Sequence, residues 1–447
     1  MKLRNLNLLK FFRSAALWYY IHMKILSITA QKPHSTGSGT YMTELVKAFA
    51  RMGHSQAVVC GIFPSDSVDF PEGVACYPVF FTESGSGGSL LEAPCKAAGS
   101  PLAALPFPVV GMSDIMPYES TRYRDLTPQM ISQFEEAFIG TEEKAGAVRR
   151  AVDDLDPDII ICHHLFLLTA LVRKHFPERR VIGISHGTDL RQMVNCDNLR
   201  ELVRPQIAKL DMALALHDEQ RRQITGIFGM DESRTAVIGS GYNNMLFNTD
   251  GREERKDGDP VRICYAGKIS RPKGVPEMLA ALERLASDDK TPPFELTMAG
   301  GCQDEVLQGR LDSLPDYVTW LGQIPQPALA ELLRRTDIFV LPSYFEGLPL
   351  VLIEAMASGA VPVSTDLPGV KDWIGAHVSG SNAVYVPMPQ MKSIDEPAED
   401  GRRAFIGDLC SVLGPVIGDV WSGKLPGPLP DTSGITWDGL AGKISAL

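Results

Sequence analysis

Short apolar runs alternate with longer amphipathic stretches from Met23 onward. The apolar runs of the first half have the length of strands and lie at 24–29, 56–61, 158–162, 180–185 and 211–216. Helical periodicity between them predicts helices near 40–52, 130–154 and 198–209. Apolar strands that alternate with helices favour a parallel sheet with helices on both faces.

A polar break interrupts this alternation at 248–260, where NTDGREERKDGDP has no apolar period. Such a composition is typical of a linker. The alternation then restarts with strand-like runs at 261–267, 294–300, 337–343 and 360–365. The pattern therefore predicts an α/β protein of two Rossmann-like, doubly wound domains. Ligands of such domains bind at the carboxyl ends of the strands, here in the cleft between the domains.

These breaks set the predicted limits of the units. We expect a first domain over 23–245, a linker over 246–260 and a second domain over 261–420. A Pro/Gly-rich crossing then leads to a final helix within 431–447, for which Ser433 is the expected cap.

Two stretches do not follow the alternation. Residues 1–22 interleave basic and apolar residues, which fits either a surface-seeking amphipathic helix or a misassigned start before Met23. This run is too short to span a bilayer and does not resemble a signal peptide. Residues 62–125 are rich in Gly, Ser and Pro and include Arg122 and Arg124. They fit either a functional loop or surface decoration.

Composition narrows the possible classes of function. The 447 residues carry a net charge of −11, and 44% of them are hydrophobic. A general nucleic-acid binder needs an excess of Lys and Arg to displace counterions, so the acidic charge argues against that class of protein. It does not exclude a local basic pocket for one phosphate-bearing ligand. The eight cysteines form no C-x-x-C pair. We expect them to be small buried residues of a reducing compartment, the cytoplasm.

Two short motifs follow predicted strands and have both a functional and a plain structural interpretation. Gly37 and Gly39 lie between the first strand and its helix, so their backbone either approaches an anion at the helix start or forms a tight turn. Lys268 and Lys273 follow the strand VRICYAG. Two cations on a fixed backbone suit a diphosphate, and two solvated lysines are the structural alternative.

The longest motif is YFEGLPLVLIEAMASG at 344–359, directly after the strand DIFVLPS. Pro349 suits the first turn of a helix and Gly359 its end, which leaves Glu346 in the preceding loop and Glu354 within the helix. Amides at a helix start hold phosphate, and a carboxylate accepts hydrogen bonds from paired sugar hydroxyls. The arrangement indicates a nucleotide-sugar site, with a capping acid and a solvated acid as the structural alternative.

Histidines also end strands on the side of the expected cleft. His186 in SHGTD is either catalytic or structural. His163 and His164 end another strand. They could line the acceptor side, but we expect one of them to be buried with its hydrogen bonds satisfied. Asp154 and Asp156 have the spacing of a metal motif, but they lie in a turn before a strand and are not expected to bind metal.

In this order the motifs resemble those of the retaining glycosyltransferases of family four, which have the GT-B fold. EGLPLVLIEAMASGAVPVST resembles the family's Glu-x7-Glu block, and AGKISRPKG resembles its Gly-Arg-x4-Lys-Gly block. SHGTD resembles its amino-domain histidine motif, and ITWDGLAGKI its closing helix, which crosses back onto the first domain. The resemblance covers 23–447. It implies transfer of a hexosyl unit from a nucleotide-diphosphate sugar to an acceptor hydroxyl, with retained anomeric configuration.

The resemblance also implies roles for the matching positions. The cations would bind the donor diphosphate, the helix acid its ribose, and the loop acid and neighbouring amides its sugar. The positions with catalytic roles would be His186 and Glu346, and those that bind the donor would be Gly37, Gly39, Lys268, Lys273, Gly347, Leu348 and Glu354. The donor would be linked to uridine or guanosine diphosphate, with no obligatory metal or other cofactor.

The chain departs from the family pattern at two places. Lys268 stands where Arg is usual, which removes bidentate phosphate recognition, although Arg271 lies nearby. The acidic loop reads Glu-Gly-Leu-Pro rather than Glu-Gly-Phe-Gly. An epimerase or phosphorylase on the same fold and a non-catalytic partner subunit are the alternative functions. The acceptor is expected to be a carbohydrate, lipid-linked or small molecule, without a nucleic-acid partner, and peripheral membrane contact stays open.

Overall fold

The computed structural model describes residues 22–33, 37–63, 65–81, 126–302, 304–393 and 396–447. Within them the chain forms two β-sheets. The strands of the first sheet are β1 (Lys24–Ile28), β2 (Ser55–Ile62), β3 (Ala75–Phe80), β4 (Ile159–His163), β5 (Val181–Ile184), β6 (Met212–Ala215) and β7 (Thr235–Val237). Those of the second sheet are β8 (Val261–Ala266), β9 (Phe294–Ala299), β10 (Val318–Trp320), β11 (Ile338–Leu341), β12 (Val361–Thr365) and β13 (Val384–Val386).

Both sheets are doubly wound. The strand orders are β3-β2-β1-β4-β5-β6-β7 and β10-β9-β8-β11-β12-β13. Neighbouring strands run parallel throughout. The order of winding reverses between β1 and β4 and between β8 and β11, so a ligand crevice is expected at the carboxyl ends of each of these pairs. The two sheets confirm the fold class predicted from the sequence pattern.

Helices cover both sheets, since central strands such as β4 and β11 are buried on both faces. The helices of the first lobe, which comprises β1–β7 and its helices, are α1 (Gly37–Arg51), α2 (Pro128–Phe138), α3 (Ala147–Leu155), α4 (Leu167–His175), α5 (Thr188–Asn195), α6 (Asp197–Ile207) and α7 (Asp218–Phe228). Those of the second lobe are α8 (Val275–Ala286), α9 (Glu305–Leu311), α10 (Gln326–Arg334), α11 (Leu350–Ala357), α12 (Val370–His377) and α13 (Glu399–Trp421). The last helix is α14 (Trp437–Ser445).

The single helix predicted over 130–154 is wrong, because the chain forms α2 and α3 with a turn between them. Gly140 has a φ of 99°, and a Cβ added there would lie 2.3 Å from the backbone nitrogen of Gly146. Two backbones that approach this closely cannot continue one helix. The glycine pair was the available sequence signal for this break.

Strand β3 was not predicted, because it lies within the irregular region 62–125. Its sequence ACYPVF contains Pro78, which removes a backbone donor. The strand lies at the outer edge of the first sheet, where a missing donor is tolerated. Most of the region, including Arg122 and Arg124, lies outside the described residues, as do residues 1–21.

The polar stretch predicted as a linker runs from β7 towards β8 and is fastened to the second lobe. Arg252 donates from Nη1 to the Ser358 carbonyl at 2.8 Å and from Nη2 to the Thr336 carbonyl at 2.9 Å. Arg255 stacks over Trp421, with its Cζ 5.2 Å from the ring centroid. The two arginines therefore satisfy carbonyl groups of the second lobe and restrain this part of the segment.

The end of the chain returns to the first lobe. Helix α14 packs against α1, with the rings of Trp437 and Tyr41 in an edge-to-face contact at 5.1 Å. Its cap is Thr436, whose Oγ1 accepts from the backbone of Gly439 at 3.1 Å, so the expectation of a cap at Ser433 was wrong.

The two crossings between the lobes lie side by side. Tyr242 on the outgoing crossing forms a β-bridge with Thr436 on the returning one. The Tyr242 hydroxyl also lies 2.8 Å from Oγ1 of Thr432. These bonds join the outgoing and returning chain segments directly to each other.

Among the described residues, α13 alone has the length and apolar composition of a membrane span. In its most apolar stretch of 18 residues, 33% are buried. The helix packs against α8, with Phe405, Leu409 and Leu413 buried. Because core helices pass the same test of length and composition, this is weak support for a membrane span.

Candidate active site

The two predicted cations of the second lobe lie beyond the carboxyl end of β8. Lys268 lies two residues after the end of the strand, and its carbonyl accepts a hydrogen bond from the Tyr265 hydroxyl at 2.7 Å. Lys273 ends a 3₁₀ turn that precedes α8. Gly274 then has a φ of 63°, and a Cβ there would lie 2.1 Å from the Pro342 carbonyl oxygen. This close approach fixes the Lys273 loop against the chain that leaves β11.

The predicted loop acid meets one of these cations. Nζ of Lys273 lies 2.6 Å from Oε1 of Glu346, and their side chains are 28% and 17% exposed. Arg271, which was considered as a substitute cation, instead pairs with Asp304 at 3.1 Å. The structure thus brings Lys273 and Glu346 together as a partly buried ion pair at the sheet edge.

The helix motif folds as its sequence indicates. Pro349 is the cap residue before α11, and Gly347 and Leu348 lie in the loop before it. The helix starts at the carboxyl end of β11, so its unpaired amides lie at the crevice of the second sheet.

Glu354 is buried within α11, at 7% exposure. Burial, together with the nearby carboxylate of Glu44, raises the pKa of Glu354 to about 8. Glu44 lies on α1 of the first lobe, so these two acids approach each other across the cleft. Lys47 pairs with Glu44 at 2.8 Å and supplies a nearby cation.

The glycines of the first motif do not form the predicted loop before the helix. Helix α1 begins at Gly37, so Gly37 and Gly39 lie in its first turn. Gly39 is buried and Gly37 is exposed, and a Cβ at Gly37 would meet no atom within 4 Å. The start of this helix still lies beyond the carboxyl end of β1.

His186 of the first lobe lies in a cluster of histidines at the ends of β4 and β5. Its Nε2 is 3.1 Å from Nδ1 of His163, and the two rings stack at 5.3 Å with an interplanar angle of 11°. The His164 ring is 4.8 Å from that of His186. Burial, followed by repulsion from these two imidazoles, holds the pKa of His186 well below its ordinary value. His186 is therefore neutral at physiological pH.

The expectation that one of the paired histidines has satisfied hydrogen bonds was wrong. Nε2 of His163 and Nε2 of His164 are both buried without a hydrogen-bond partner. Asp154 accepts from the Tyr77 hydroxyl at 2.7 Å, and Asp156 pairs with Arg179 at 2.6 Å. In the part of the chain that the structure describes, no three His, Cys, Asp or Glu side chains are arranged to hold a metal.

The lobes meet at the loop that carries Glu346. A Cβ added to Gly347 would lie 2.9 Å from the carbonyl oxygen of His186, so only glycine permits this approach. Next to it, Arg191 of α5 stacks over Phe345, with its Cζ 5.7 Å from the ring centroid. The predicted residues of the first lobe and of the second therefore face one another across a single cleft.

A second contact between the lobes was not predicted from the sequence. A Cβ added to Gly369, at the start of α12, would lie 2.2 Å from Nδ1 of His217. His217 begins α7 in the first lobe and accepts from the Gln220 amide at 3.2 Å. Its position at the end of β6 was the only signal in the sequence, and it matches no motif.

Family models match both lobes. The model described as glycosyl transferase 4-like domain matches residues 36–241, and the model described as glycosyl transferases group 1 matches residues 247–397. The paired sheets and the cleft between them define the GT-B class of proteins. The chain belongs to the group 1 glycosyltransferase family.

Curated relatives agree with this placement. The putative glycosyltransferase EpsF of Bacillus subtilis is 30% identical over 288 residues, which are 60% of this chain and 73% of that protein. The glycogen synthase of Mycobacterium tuberculosis is 29% identical over 211 residues, 45% of this chain and 49% of that protein. The chain therefore spans about half the length of some of the curated relatives that it matches.

Solved structures share the fold at low identity. Sucrose-phosphate synthase from Thermosynechococcus elongatus superposes with a TM-score of 0.60 at 16% identity, covering 95% of this chain and 98% of that one. HepE of Anabaena in complex with UDP and glucose gives 0.52 at 14% identity, with 95% and 99% covered. At these identities the likeness shows the GT-B fold alone.

Proposed function

We propose that the chain transfers a hexosyl unit from a UDP- or GDP-linked sugar to an acceptor hydroxyl, with retained configuration. The observation that carries this proposal is the ion pair between Lys273 and Glu346, whose Nζ and Oε1 atoms are 2.6 Å apart. The loop that carries Glu346 also approaches the backbone of His186 at Gly347. A cation, an acid and a helix start at one sheet edge suit the three parts of a nucleotide-sugar.

The diphosphate of the donor is the leaving group, and its charge develops during transfer. Lys268, Lys273 and the first amides of α11 would stabilise that charge as a preorganised electrostatic site. In the ligand-free protein, Glu346 balances the charge of Lys273. A donor phosphate would replace Glu346 as the partner of that ammonium group and release Glu346 to the sugar hydroxyls.

Glu354 would bind the ribose. Its raised pKa, about 8, means that a protonated carboxyl is present near neutral pH when no ligand is bound. Ribose hydroxyls donate hydrogen bonds to an ionised carboxylate and therefore favour loss of that proton. Donor binding at this position is thus expected to be coupled to proton release.

We favour displacement from the same face of the sugar, in which the acceptor oxygen bonds to the anomeric carbon as the diphosphate leaves. The departing phosphate oxygen takes the proton of the acceptor hydroxyl. This choice is supported by Asp189, the carboxylate that follows His186 in the chain. It is 1% exposed and accepts hydrogen bonds from Leu165, Ser185 and His186. A carboxylate that is buried and bonded in this way is poorly placed to attack the donor.

A panel of UDP-, GDP- and ADP-hexoses tests the proposal. One donor should raise the unfolding temperature, since a ligand of the folded state stabilises it. That donor, incubated with glycoside and polyol acceptors, should give a product of unchanged anomeric configuration by NMR. An inverted product, or conversion of the donor without any acceptor, would contradict the proposal and favour an inverting enzyme or an epimerase. We place the reaction in the cytoplasm, where nucleotide-sugars are made.

A further inference from the structure

The first lobe contains a small cavity lined by two imidazoles with unpartnered nitrogens. Its volume is about 30 Å³, and it lies beside the carboxyl ends of β1 and β4. His163 is 3% exposed, yet its Nε2 has no hydrogen-bond partner, and the buried Nε2 of His164 has none either. Buried polar atoms are almost always hydrogen-bonded. Two exceptions that line one cavity indicate a ligand group that bonds them.

The other nitrogen of each ring faces the protein. Nδ1 of His163 lies 3.1 Å from Nε2 of His186, and Nδ1 of His164 lies 3.4 Å from Oγ1 of Thr188. His164 also has a backbone φ of 71°, a conformation that residues other than glycine rarely adopt. The fold therefore holds this ring in place at a conformational cost and leaves Nε2 available.

The remaining lining excludes an anionic ligand group. Most of the wall is apolar and consists of Ala30, Phe134, Phe166, Leu167 and Leu168. Its charged member is Asp189, and the lining residues include no Lys or Arg. An anionic group would lose its hydration beside a buried carboxylate without gaining a cation. Burial lowers the pKa of His163 to about 3 and lowers that of His164, so both rings are neutral.

A neutral imidazole nitrogen either donates to a hydroxyl or accepts from it. A cavity holds one water when it offers roughly 10–15 Å³, so about 30 Å³ accommodates two heavy atoms. A methylene and a hydroxyl together have this size, and they match an apolar wall with two free nitrogens.

We propose that this cavity is an acceptor subsite that takes an uncharged hydroxymethyl group. The methylene contacts Phe134 and Leu167, and the hydroxyl bonds Nε2 of His163 and of His164. The proposal rests on the proposed function, because His163 contacts His186 at the cleft, and an acceptor anchored here presents its remaining hydroxyls there. A hexose and an alkyl alcohol carry the same group, and the test separates them.

The binding test uses protein labelled with ¹⁵N-histidine, with and without UDP. Methyl β-D-glucopyranoside supplies the group on a sugar, and 1-butanol supplies it on an alkyl chain. The 6-deoxy glucoside and the glucuronide replace the hydroxymethyl by methyl and by carboxylate. We expect a hydroxymethyl probe to shift the Nε2 resonances of His163 and His164 and to bind at least about 5-fold more tightly than the 6-deoxy glucoside. The glucuronide should not bind.

Equal affinities for the three glucosides, or no response of either histidine to both hydroxymethyl probes, would overturn the proposal. If the glucoside alone binds, the carrier is a sugar. If butanol alone binds, the carrier is an alkyl chain.

The decisive variant is His164→Asn. Asparagine tolerates a positive φ and retains a polar atom near the Nδ1 position, but it lacks Nε2. We expect it to abolish the preference for hydroxymethyl over methyl while the affinity for UDP stays unchanged. The matched control is His175→Asn on α4, outside the cavity, where Nε2 bonds Glu135 at 2.5 Å; it should retain the preference. Full discrimination in His164→Asn would reject the subsite.

Ala30→Val provides a second variant, which reduces the cavity volume while both histidines stay in the sequence. It should weaken the binding of the hydroxymethyl probes and of the 6-deoxy glucoside together, and unchanged binding of all of them would also reject the subsite. Failure of the proposed function is seen separately, in the nucleotide affinity of the wild-type protein, because the cavity contains none of the donor-binding residues.

Discussion

The two lobes present their functional residues in different electrostatic settings. In the loops of the second lobe, Lys273 and Glu346 form a partly exposed ion pair, with side chains 28% and 17% exposed. The site of the first lobe consists of buried neutral rings, and the pKa values of His163 and His186 are lowered chiefly by burial. Under the proposed function, the ion pair of the second lobe would meet the charged donor, and the neutral rings of the first lobe would meet an uncharged acceptor group.

The two sites also differ in how far apart their residues lie in the sequence. Glu346 and the start of α11 lie in one continuous motif, so the order of residues alone indicates their chemistry. His163 and His186 meet because β4 and β5 are neighbours in the sheet. A parallel sheet thus brings together residues that no linear spacing relates, and a motif search finds the first kind of site more readily than the second.

The largest effect is expected for Lys273→Ala. Loss of the ammonium group removes electrostatic stabilisation of the leaving diphosphate, and we expect transfer to fall by about 10²–10³-fold. The measurement is kcat/KM for donor consumption in the presence of acceptor. Arg271→Ala is the matched control, because Arg271 pairs with Asp304 and its side chain is 54% exposed. Equal losses in both variants would remove the special role of the Lys273–Glu346 pair.

The acids that face each other across the cleft are tested by pH. Burial and Glu44 raise the pKa of Glu354 from 4.5 to about 8, so the folded state retains a proton that the unfolded state releases. The stability that this retained proton contributes is complete below pH 4.5, is lost as the pH rises, and changes no further above pH 8. The unfolding free energy of the wild type therefore falls between pH 5.5 and 7.5. In Glu354→Gln this fall should be smaller, by at most about 3 kcal/mol.

Urea denaturation at several pH values measures this slope. Glu283→Gln is the control, because the Glu283 side chain lies on α8 of the second lobe and is 72% exposed. Identical slopes in wild type and Glu354→Gln would show that Glu354 is ionised across the whole range.

The close contact between the lobes at α12 is tested by Gly369→Ala. The residue has a φ of 78°, and its Cβ would lie 2.2 Å from Nδ1 of His217. We expect a loss of about 1–2 kcal/mol in unfolding free energy. Gly375→Ala in the same helix meets no atom within 4 Å and should stabilise the protein by about 0.5–1 kcal/mol. Effects of the same sign in both variants would contradict the assigned contact.

The smallest effect is expected for Arg191→Ala. Its guanidinium lies over Phe345, directly before the acidic loop residue Glu346, with 5.7 Å between Cζ and the ring centroid. A cation–π contact of this kind contributes about 0.5–1 kcal/mol, so KM for the donor should rise roughly 2–5-fold. Arg200→Ala, an exposed change on α6, should leave KM unchanged. A larger loss in kcat than in KM would indicate a role beyond support of the loop.

Sequence pattern predicted the two sheets and the start of α11, because buried parallel strands and a Pro-initiated helix leave local signals. It did not predict the break at Gly140, the edge strand with Pro78 or the helical start at Gly37. The strand with Pro78 depends on its pairing with β2, and the close approach of Gly140 to Gly146 is a turn that the apolar period over 130–154 does not record. The approach of Glu44 to Glu354 depends on how the lobes meet, and no local pattern records that.

The two chain segments that connect the lobes are joined by the β-bridge between Tyr242 and Thr436, and this has a consequence for substrate access. Because the two connections are bonded to each other, they restrain the lobes at one place, and we expect any separation of the lobes to occur by rotation about that place. Substrates would then enter and leave on the opposite side. A long polymeric acceptor could extend outward there, with only its end inside the cleft.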